Sequence, residues 1–374
     1  MLVLLLMACK EEQHGDVPTD EDFYLTIYVY SPGKPIVTRS DVQYQAATDA
    51  ENAIHKLQLW AFRHDGGELV GYLEEENVSL SEGGTFKMLV SREFADSPVN
   101  VDVYALANVS TGNTGCSFSR TTPRNTLDVA QLKDSYFFGT NAASLEQNVP
   151  AEGLPMTGIL KDQPVVGSYP ALRVGTIDAM ATVQLVRSVS KIRFLIVRGH
   201  DENDPEGQLH TINSITLDGG MIPQEEYLLL TEPHDNSLNP ANPLGSSRIH
   251  IGDSYESSEI LFGSPSTEDI PVVDPDSWEY GAEGAEDPLS FSITYLRESD
   301  RQLMGSITYT REGDTSTERT ATFVLSNEGD FSRNHSWTVL VVFVGGNIQI
   351  FNVVDIGVAR WGNGGSGSHD EYNW

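Results

Sequence analysis

The feature that most constrains this chain is a two-residue alternation of apolar and polar side chains, repeated in short runs. Phe23, Leu25, Ile27 and Val29 alternate with Tyr24, Thr26, Tyr28 and Tyr30. Leu57 and Leu59 alternate with Lys56, Gln58 and Trp60, and Val99, Val101, Val103 and Ala105 with Asn100, Asp102 and Tyr104. Further rows are Ile192, Phe194 and Ile196; Leu289, Phe291, Ile293 and Tyr295; and Trp337, Val339, Val341 and Phe343. A period of two puts every second side chain on one face of a strand. Gly, Pro, Asn, Asp and Ser bound the runs, so the pattern reads as half-buried antiparallel strands packed as sandwiches, not as a parallel α/β sheet.

Helical signals are few. The best is Asn125 to Phe138, where Leu127, Ala130 and Asp134 share a face and Asp128 sits early in the dipole. Gly66-Gly67 between Leu59–Phe62 and Leu69–Tyr72 reads as a hairpin turn. A chain of 374 residues suggests two domains. The Gly/Pro-punctuated stretch 164–177, followed by a new strand run from Ala181, puts a boundary near residue 178. His200–Gly207 and Pro265–Pro288 read as acidic loops, and Gly362–Trp374 as a Gly/Ser/Asn-rich tail ending in an apolar Trp374.

Lys and Arg number 23 against 54 Asp and Glu, a formal charge of −31. A phosphate backbone or an anionic lipid surface would repel such a chain, so nucleic acid is excluded as a partner. No apolar run is long enough to cross a membrane as a helix. Two cysteines, Cys9 and Cys116, cannot staple a scaffold or build a thiolate metal cluster. Cys116 has no flanking His or Lys to activate it. Cys9 ends the apolar run Met-Leu-Val-Leu-Leu-Leu-Met-Ala and is followed by Lys10-Glu11-Glu12. An apolar stretch, a small residue and then a cysteine resemble the end of a bacterial lipoprotein signal, with Cys9 the lipidated residue, although the run lacks a basic start.

Catalytic signatures are missing from the sequence. It has no HExxH, no GxSxG elbow, no P-loop and no GxGxxG after a strand. With so many acids, a carboxylate pair arises by chance and carries no assignment. Asp201-Glu-Asn-Asp-Pro-Glu offers oxygens for Ca²⁺ but lacks EF-hand spacing, so it reads as a solvated loop, as does Glu279–Asp287. The chain is therefore read as non-enzymatic, with no cofactor and no metal.

Several segments follow in order along the chain: the leader ending at Cys9; Ile36-Val-Thr-Arg39-Ser40 followed by Glu51-Asn-Ala-Ile-His-Lys-Leu-Gln-Leu-Trp-Ala-Phe; Leu154-Pro-Met-Thr-Gly158; Val183-Gln-Leu-Val-Arg187-Ser-Val-Ser-Lys191-Ile; Arg333-Asn-His-Ser-Trp-Thr-Val; and the ending with Trp361 and Trp374. Together they resemble the fimbrillins of Bacteroidales, the lipoprotein subunits of type V pili. The resemblance implies two tandem transthyretin-like Greek-key β-sandwich domains, all-β with a short helix in the first. The expected division is residues 1–9 as signal, 10–39 as pro-segment with the first strand, 40–178 and 179–374 as the two domains. It also implies a surface location on an outer membrane, a lipid anchor there at least transiently, and other fimbrial subunits as partners, with a host or bacterial surface receptor beyond them.

Assembly in that family proceeds by strand exchange. Mapped here, Phe23, Leu25, Ile27 and Val29 lie on the removable first strand, and a protease would cut between Arg39 and Ser40. The donor segment from a neighbour would be Ile348–Trp361 with the tail to Trp374, its pegs Val354, Ile356 and Val358. Loss of an edge strand exposes backbone groups and apolar side chains that a donor strand satisfies, and head-to-tail exchange does not close. The competing reading makes both segments ordinary strands of one closed sandwich, and Arg39 an ordinary loop residue after Pro32, Gly33 and Pro35. Stalk, tip and anchor positions all stay open, as does a surface glycan-binding lipoprotein that does not polymerise. Trp278, in a polar loop, is the candidate for stacking on sugar; Trp60 reads as core, and His335 as structural because it has no Ser or Cys partner.

Overall fold

A computed structural model describes residues 23–30, 48–80, 83–90, 99–132, 149, 151–163, 180–200, 210–229, 254–274, 277–278, 284–311, 314–327, 331, 333–334, 336–344 and 347–355. The fold is all-β. The N-terminal unit contains β1 (Phe23–Tyr30), β2 (Ile54–Arg63), β3 (Leu69–Leu80), β4 (Gly83–Val90), β5 (Val101–Ala107), β6 (Gln131–Leu132), β7 (Met156–Gln163), β8 (Met180–Gln184) and β9 (Val186–Arg187). Three one-turn helices accompany them: α1 (Asp49–Asn52), α2 (Thr111–Thr114) and α3 (Arg124–Asp128). Among the described residues no helix is long and apolar enough to cross a membrane.

Eight of these strands run in the order β8-β1-β4-β3-β2-β5-β7-β9. Because β8 and β9 are consecutive, the path returns on itself and wraps a sandwich. The wrap has two tight corners, each at a glycine. At one, β3 and β4 share the single pair Gly71–Val90, and a Cβ on Gly71 would lie 2.7 Å from Met88 Sδ and 2.9 Å from Leu89 O. At the other, a Cβ on Gly158 in β7 would lie 2.5 Å from Gln184 O and 2.7 Å from Val183 Cγ1 in β8. Only a residue without Cβ lets the two backbones approach so closely. The Gly of Leu154-Pro-Met-Thr-Gly158 thus has a packing cause.

The inward rows expected from alternation are the core: Leu25, Ile27, Val29, Leu57, Leu59, Val101, Val103 and Ala105 are all buried. Alternation understates β2 and β5, whose outer faces are covered too. The segment 116–128 lies over them, so Gln58 Nε2 donates to Phe118 O and Trp60 Nε1 to Ser119 O. Arg124 Nη1 donates to Asp102 Oδ2, and Tyr104 OH to Asp128 Oδ1. Trp60 is a core residue, as expected. The helix expected over 125–138 is corrected up to residue 132, the rest lying outside the described residues: α3 is one turn, and Gln131–Leu132 is a strand. Backbone pairing of Gln131 and Leu132 with Tyr227 and Glu226 competes successfully with helix continuation there. The hairpin at 66–67 is present, with Gly67 at φ +73°.

The C-terminal unit is a second sandwich. One sheet carries β10 (Ser190–Gly199), flanked by β18 (Ser336–Val344) on one side and by β15 (Leu289–Leu296) and β14 (Val272–Val273) on the other, with β19 (Asn347–Asp355) at the far edge beyond β18. The other is β13-β11-β16-β17, from β13 (Ile260–Gly263), β11 (His210–Leu217), β16 (Leu303–Arg311) and β17 (Asp314–Ser326). Ile192, Phe194, Ile196, Val339, Val341 and Phe343 face Ile215, Phe262, Ile307 and Phe323 in its core. Not every ladder is antiparallel: β1–β8, β10–β14 and β10–β18 are parallel. Such pairs need long crossovers, which the connections between sheets supply.

Core membership changes between Val189 and Ile192, later than the boundary expected near residue 178, because β8 and β9 complete the N-terminal wrap. The short strand β12 (Glu226–Tyr227) pairs with β6, and Leu228 and Leu229 enter the N-terminal core. The two sandwiches are thereby sewn together. Trp278 is half-buried against the cluster of Leu195, Val197, Val273, Leu340 and Val342, and its Nε1 donates to Glu286 O.

Candidate functional site: the slot filled by the first strand

Strand β1 is not an edge strand. It lies between β4 and β8, antiparallel to the first over eight pairs from Phe23–Val90 to Tyr30–Gly83, and parallel to the second over five pairs from Thr26–Met180 to Tyr30–Gln184. Leu25, Ile27 and Val29 have no exposed surface and insert among the N-terminal core residues, while Tyr24, Thr26 and Tyr28 are half-buried outward. Taking β1 away would therefore open a slot with two hydrogen-bonding walls and a floor of apolar side chains. That differs from the single free edge the sequence suggested, and it would bind a strand of matching alternation along both sides.

Of the other residues expected at this site, Cys9, Arg39, Ser40, Ile356, Val358, Trp361 and Trp374 lie outside the described residues. Phe23 pairs with Val90 at the start of β1. Val354 lies in β19, opposite Trp337 of β18. The first part of the expected donor segment, up to Asp355, is thus paired within its own domain.

Beside the slot is a buried polar cluster that sequence reasoning did not assemble. It joins α1, the β9–β10 turn, β15 and the loop before β18. Glu51 opens from a capping box: Thr48 Oγ1 accepts from Glu51 N at 3.2 Å, and Glu51 Oε2 accepts from Thr48 N at 2.8 Å. Its other oxygen meets Lys191 Nζ at 2.7 Å and accepts from Tyr295 OH at 2.7 Å. Arg187, wholly buried, donates through Nε to Glu51 O at 3.0 Å, through Nη1 to Asn334 Oδ1 at 3.1 Å, and through Nη2 to Asn52 Oδ1. Asn334, at φ +63°, donates its own N–H to Val189 O at 2.8 Å. Asn tolerates that left-handed backbone better than most residues.

Burial pushes the Glu51 carboxyl up, but the Lys191 ammonium and the bonds from Lys191, Tyr295 and Thr48 outweigh it and hold the group below its ordinary range. Burial lowers Lys191 and Arg187 and raises Tyr295. A second cluster lies alongside. Arg333 meets Glu298 Oε1 through Nη2 at 2.7 Å and through Nε at 3.0 Å, and donates to Leu228 O and Tyr227 O. Leu228 O also accepts from Thr157 and Ser188. Burial, with Glu298 nearby, pushes Glu226 well above the carboxylate range although Arg333 opposes it. A signal was present: Arg187 and Lys191 interrupt an apolar strand run, and Arg333-Asn334 opens another. Charges at such positions need buried partners. The partners Glu51, Asn52, Glu298 and Tyr295 come from distant parts of the chain, which no local pattern joins.

Residues 24–187 match the sequence profile of the major fimbrial subunit protein, FimA. Over these residues the chain is similar to the fimbrial subunit family. The match ends at Arg187, where the wrapped N-terminal sandwich ends. Solved structures extend the likeness to the whole fold. A candidate cell adhesion protein from Parabacteroides distasonis is 15% identical, with a TM-score of 0.54 over 90% of this chain and 92% of that one. The tip fimbrial protein Mfa3 from Porphyromonas gingivalis is 13% identical, with a TM-score of 0.50 over 90% of this chain and 99% of that one. No curated protein sequence matches the chain. The family of that profile is a structural one. Among the described residues no group of three or more His, Cys, Asp or Glu is placed for a metal ion.

Proposed function

We propose that this fimbrial subunit reaches the cell surface as a lipoprotein anchored through Cys9, loses its N-terminal segment by cleavage between Arg39 and Ser40, and joins a neighbouring subunit through a strand that takes the place of β1. The filament serves adhesion, and its partners are other fimbrial subunits and a surface receptor. The observation that carries this reading is the position of β1. An N-terminal strand, followed by a connection of residues 31–47 that contains Arg39, fills a slot between two other strands of the same sandwich. A segment placed in this way can be replaced without unravelling the chain on either side of it. The donor in this reading comes from the C-terminal segment with Val354, Ile356, Val358, Trp361 and Trp374.

The test is limited trypsin digestion of the purified chain starting just after Cys9. N-terminal sequencing of the stable core and a denaturing gel run without boiling then follow. A core beginning at Ser40, with ladders that form only after the cut, supports exchange. Cleavage there without oligomers, or resistance at Arg39, rejects polymerisation by this route.

A further inference from the structure

The slot raises a question that the fold answers locally. Among the described ladders, β8 is paired with β1 alone. When β1 leaves, β8 keeps no strand beside it. What remains is burial of Ala181 and Val183, the close passage of Gly158 against Gln184 O, and the chain that follows. That chain is short. After Leu185, residues Val186 and Arg187 pair with Thr157 and Met156 of β7, and Arg187 then enters the buried cluster with Asn52 and Asn334. Arg187 N also donates to Asn334 Oδ1 at 3.3 Å, and Asn334 N to Val189 O. The peptide from 187 to 189 is thereby clamped on both sides by one asparagine.

We propose that Arg187, held by Asn52 and Asn334, is a positioning residue for strand exchange: it fixes the end of β8, so that this wall of the slot keeps its register while β1 is absent. The inference rests on the reading that β1 is replaceable. A guanidinium suits the role. It is a rigid planar fork, and here it reaches α1 of the N-terminal sandwich and the loop before β18 of the C-terminal one at once. The C-terminal sandwich thus acts as the fixed body against which β8 is braced. A pre-ordered slot binds a strand with less ordering entropy to lose than a collapsed one.

The experiment uses the whole chain from residue 10 onward, with a specific protease site inserted within residues 31–47. After cutting, β1 is held only by contacts, and mild denaturant washes it from the immobilised chain, leaving the slot empty on return to buffer. An excess of labelled peptide of residues 23–30 is added. Capture is followed by fluorescence anisotropy, and the amides of residues 186–188 by hydrogen exchange with and without peptide. Arg187→Met and Asn334→Gly are compared with Leu127→Ala, a core variant in α3 on the β5 side of the sandwich, at temperatures giving matched distances from melting. Asn334→Gly preserves the left-handed backbone and serves if Arg187→Met does not fold. The expected result is capture weakened about tenfold or more beyond the Leu127→Ala control. Protection of 186–188, whose partners are β7 and Pro155 O, should be lost in the empty state of those variants only. Capture and protection equal to the control overturn the inference while leaving exchange intact. A cut wild-type chain that never takes up peptide overturns the replaceable-strand reading, and this inference with it.

Discussion

Truncating one inward side chain of β1 tests whether its apolar row is what fixes it in the slot. Ile27 is wholly buried between Leu25 and Val29, and its backbone pairs with Phe86 on one side and Ala181 on the other. Ile27→Ala deletes three buried carbons. At about 0.8 kcal/mol per carbon the transfer loss is ~2.4 kcal/mol. The surrounding walls are backbone ladders that cannot close over the hole, so a cavity contribution brings the total to ~3–4 kcal/mol. Thr26→Ala, one residue away on the half-buried outer face, should cost no more than ~0.5 kcal/mol. The ladders on both sides of β1 stay the same in the two variants, so their difference isolates the inward row.

The assay is urea unfolding followed by fluorescence of the buried Trp60, which reports on the N-terminal sandwich, with hydrogen exchange of the β4 amides as a second probe. A midpoint shift corresponding to ~3 kcal/mol for Ile27→Ala and almost none for Thr26→Ala is expected. Equal shifts would refute the reasoning, because β1 would then be held by backbone pairing and not by its apolar face. A shift below ~1 kcal/mol for Ile27→Ala would refute it as well.

Other positions give independent tests. Gly158→Val should cost several kcal/mol, of the order seen for overpacked cores, since its side chain would drive β7 away from Gln184 O; a melting curve like wild type would show that the corner is not tight. Arg333→Met leaves Glu298 buried without its partner and should cost about 3–5 kcal/mol, whereas Arg333→Met with Glu298→Leu should regain much of it; a double variant worse than the single one would refute this account. Glu226 binds its proton more tightly folded than unfolded, so its contribution is favourable below the unfolded value near 4.5 and is lost as pH rises through the raised folded value. Glu226→Gln should therefore raise the melting temperature at pH 7 and change it little at pH 4; the reverse order would show that Glu226 is ionised in the fold.

The strand rows were legible because each has one face in a core. Leu25, Ile27 and Val29 show this plainly, and so do Ile192, Phe194 and Ile196. Alternation could not tell which outer faces are covered, since that depends on a distant segment: Tyr104 and Asp102 look solvent-facing until the 116–128 loop is laid over them. Nor could it place β1 at the interior of a wrapped sheet. A period of two states which face is buried and says nothing about which neighbours lie beside the strand. Pairing with β8, more than 150 residues away in sequence, is a property of closure, and its only local trace is Gly158. The polar junction left a partial trace, in Arg187 and Lys191 set among apolar residues. Its acidic half sits in α1, where a capping box was the more local explanation for Glu51.

The C-terminal donor is the part of the assembly reading most exposed to test. The row Val354, Ile356 and Val358 has the spacing of Leu25, Ile27 and Val29, and would seat three pegs in the same slot. Val354, however, is already opposite Trp337, within a nine-pair ladder that runs from Ser336–Asp355 to Val344–Asn347. A donor using Val354 must peel the last pairs of β19 from β18. A donor beginning at Ile356 leaves the ladder whole and uses two pegs of the row. Residues 356–374, extended at ~3.3 Å per residue, span ~60 Å, more than twice the ~26 Å an eight-residue strand needs. Reach is therefore not limiting, and the choice falls to the pegs. A chain ending after Asp355 should fold with an unchanged melting temperature and form no ladder after cleavage at Arg39. Val354→Asp in the full chain separates the two modes: it should abolish laddering if β19 peels, and leave it nearly intact if Ile356 leads. Ladders from the chain ending at Asp355 would refute both modes, and would move the donor to some other strand.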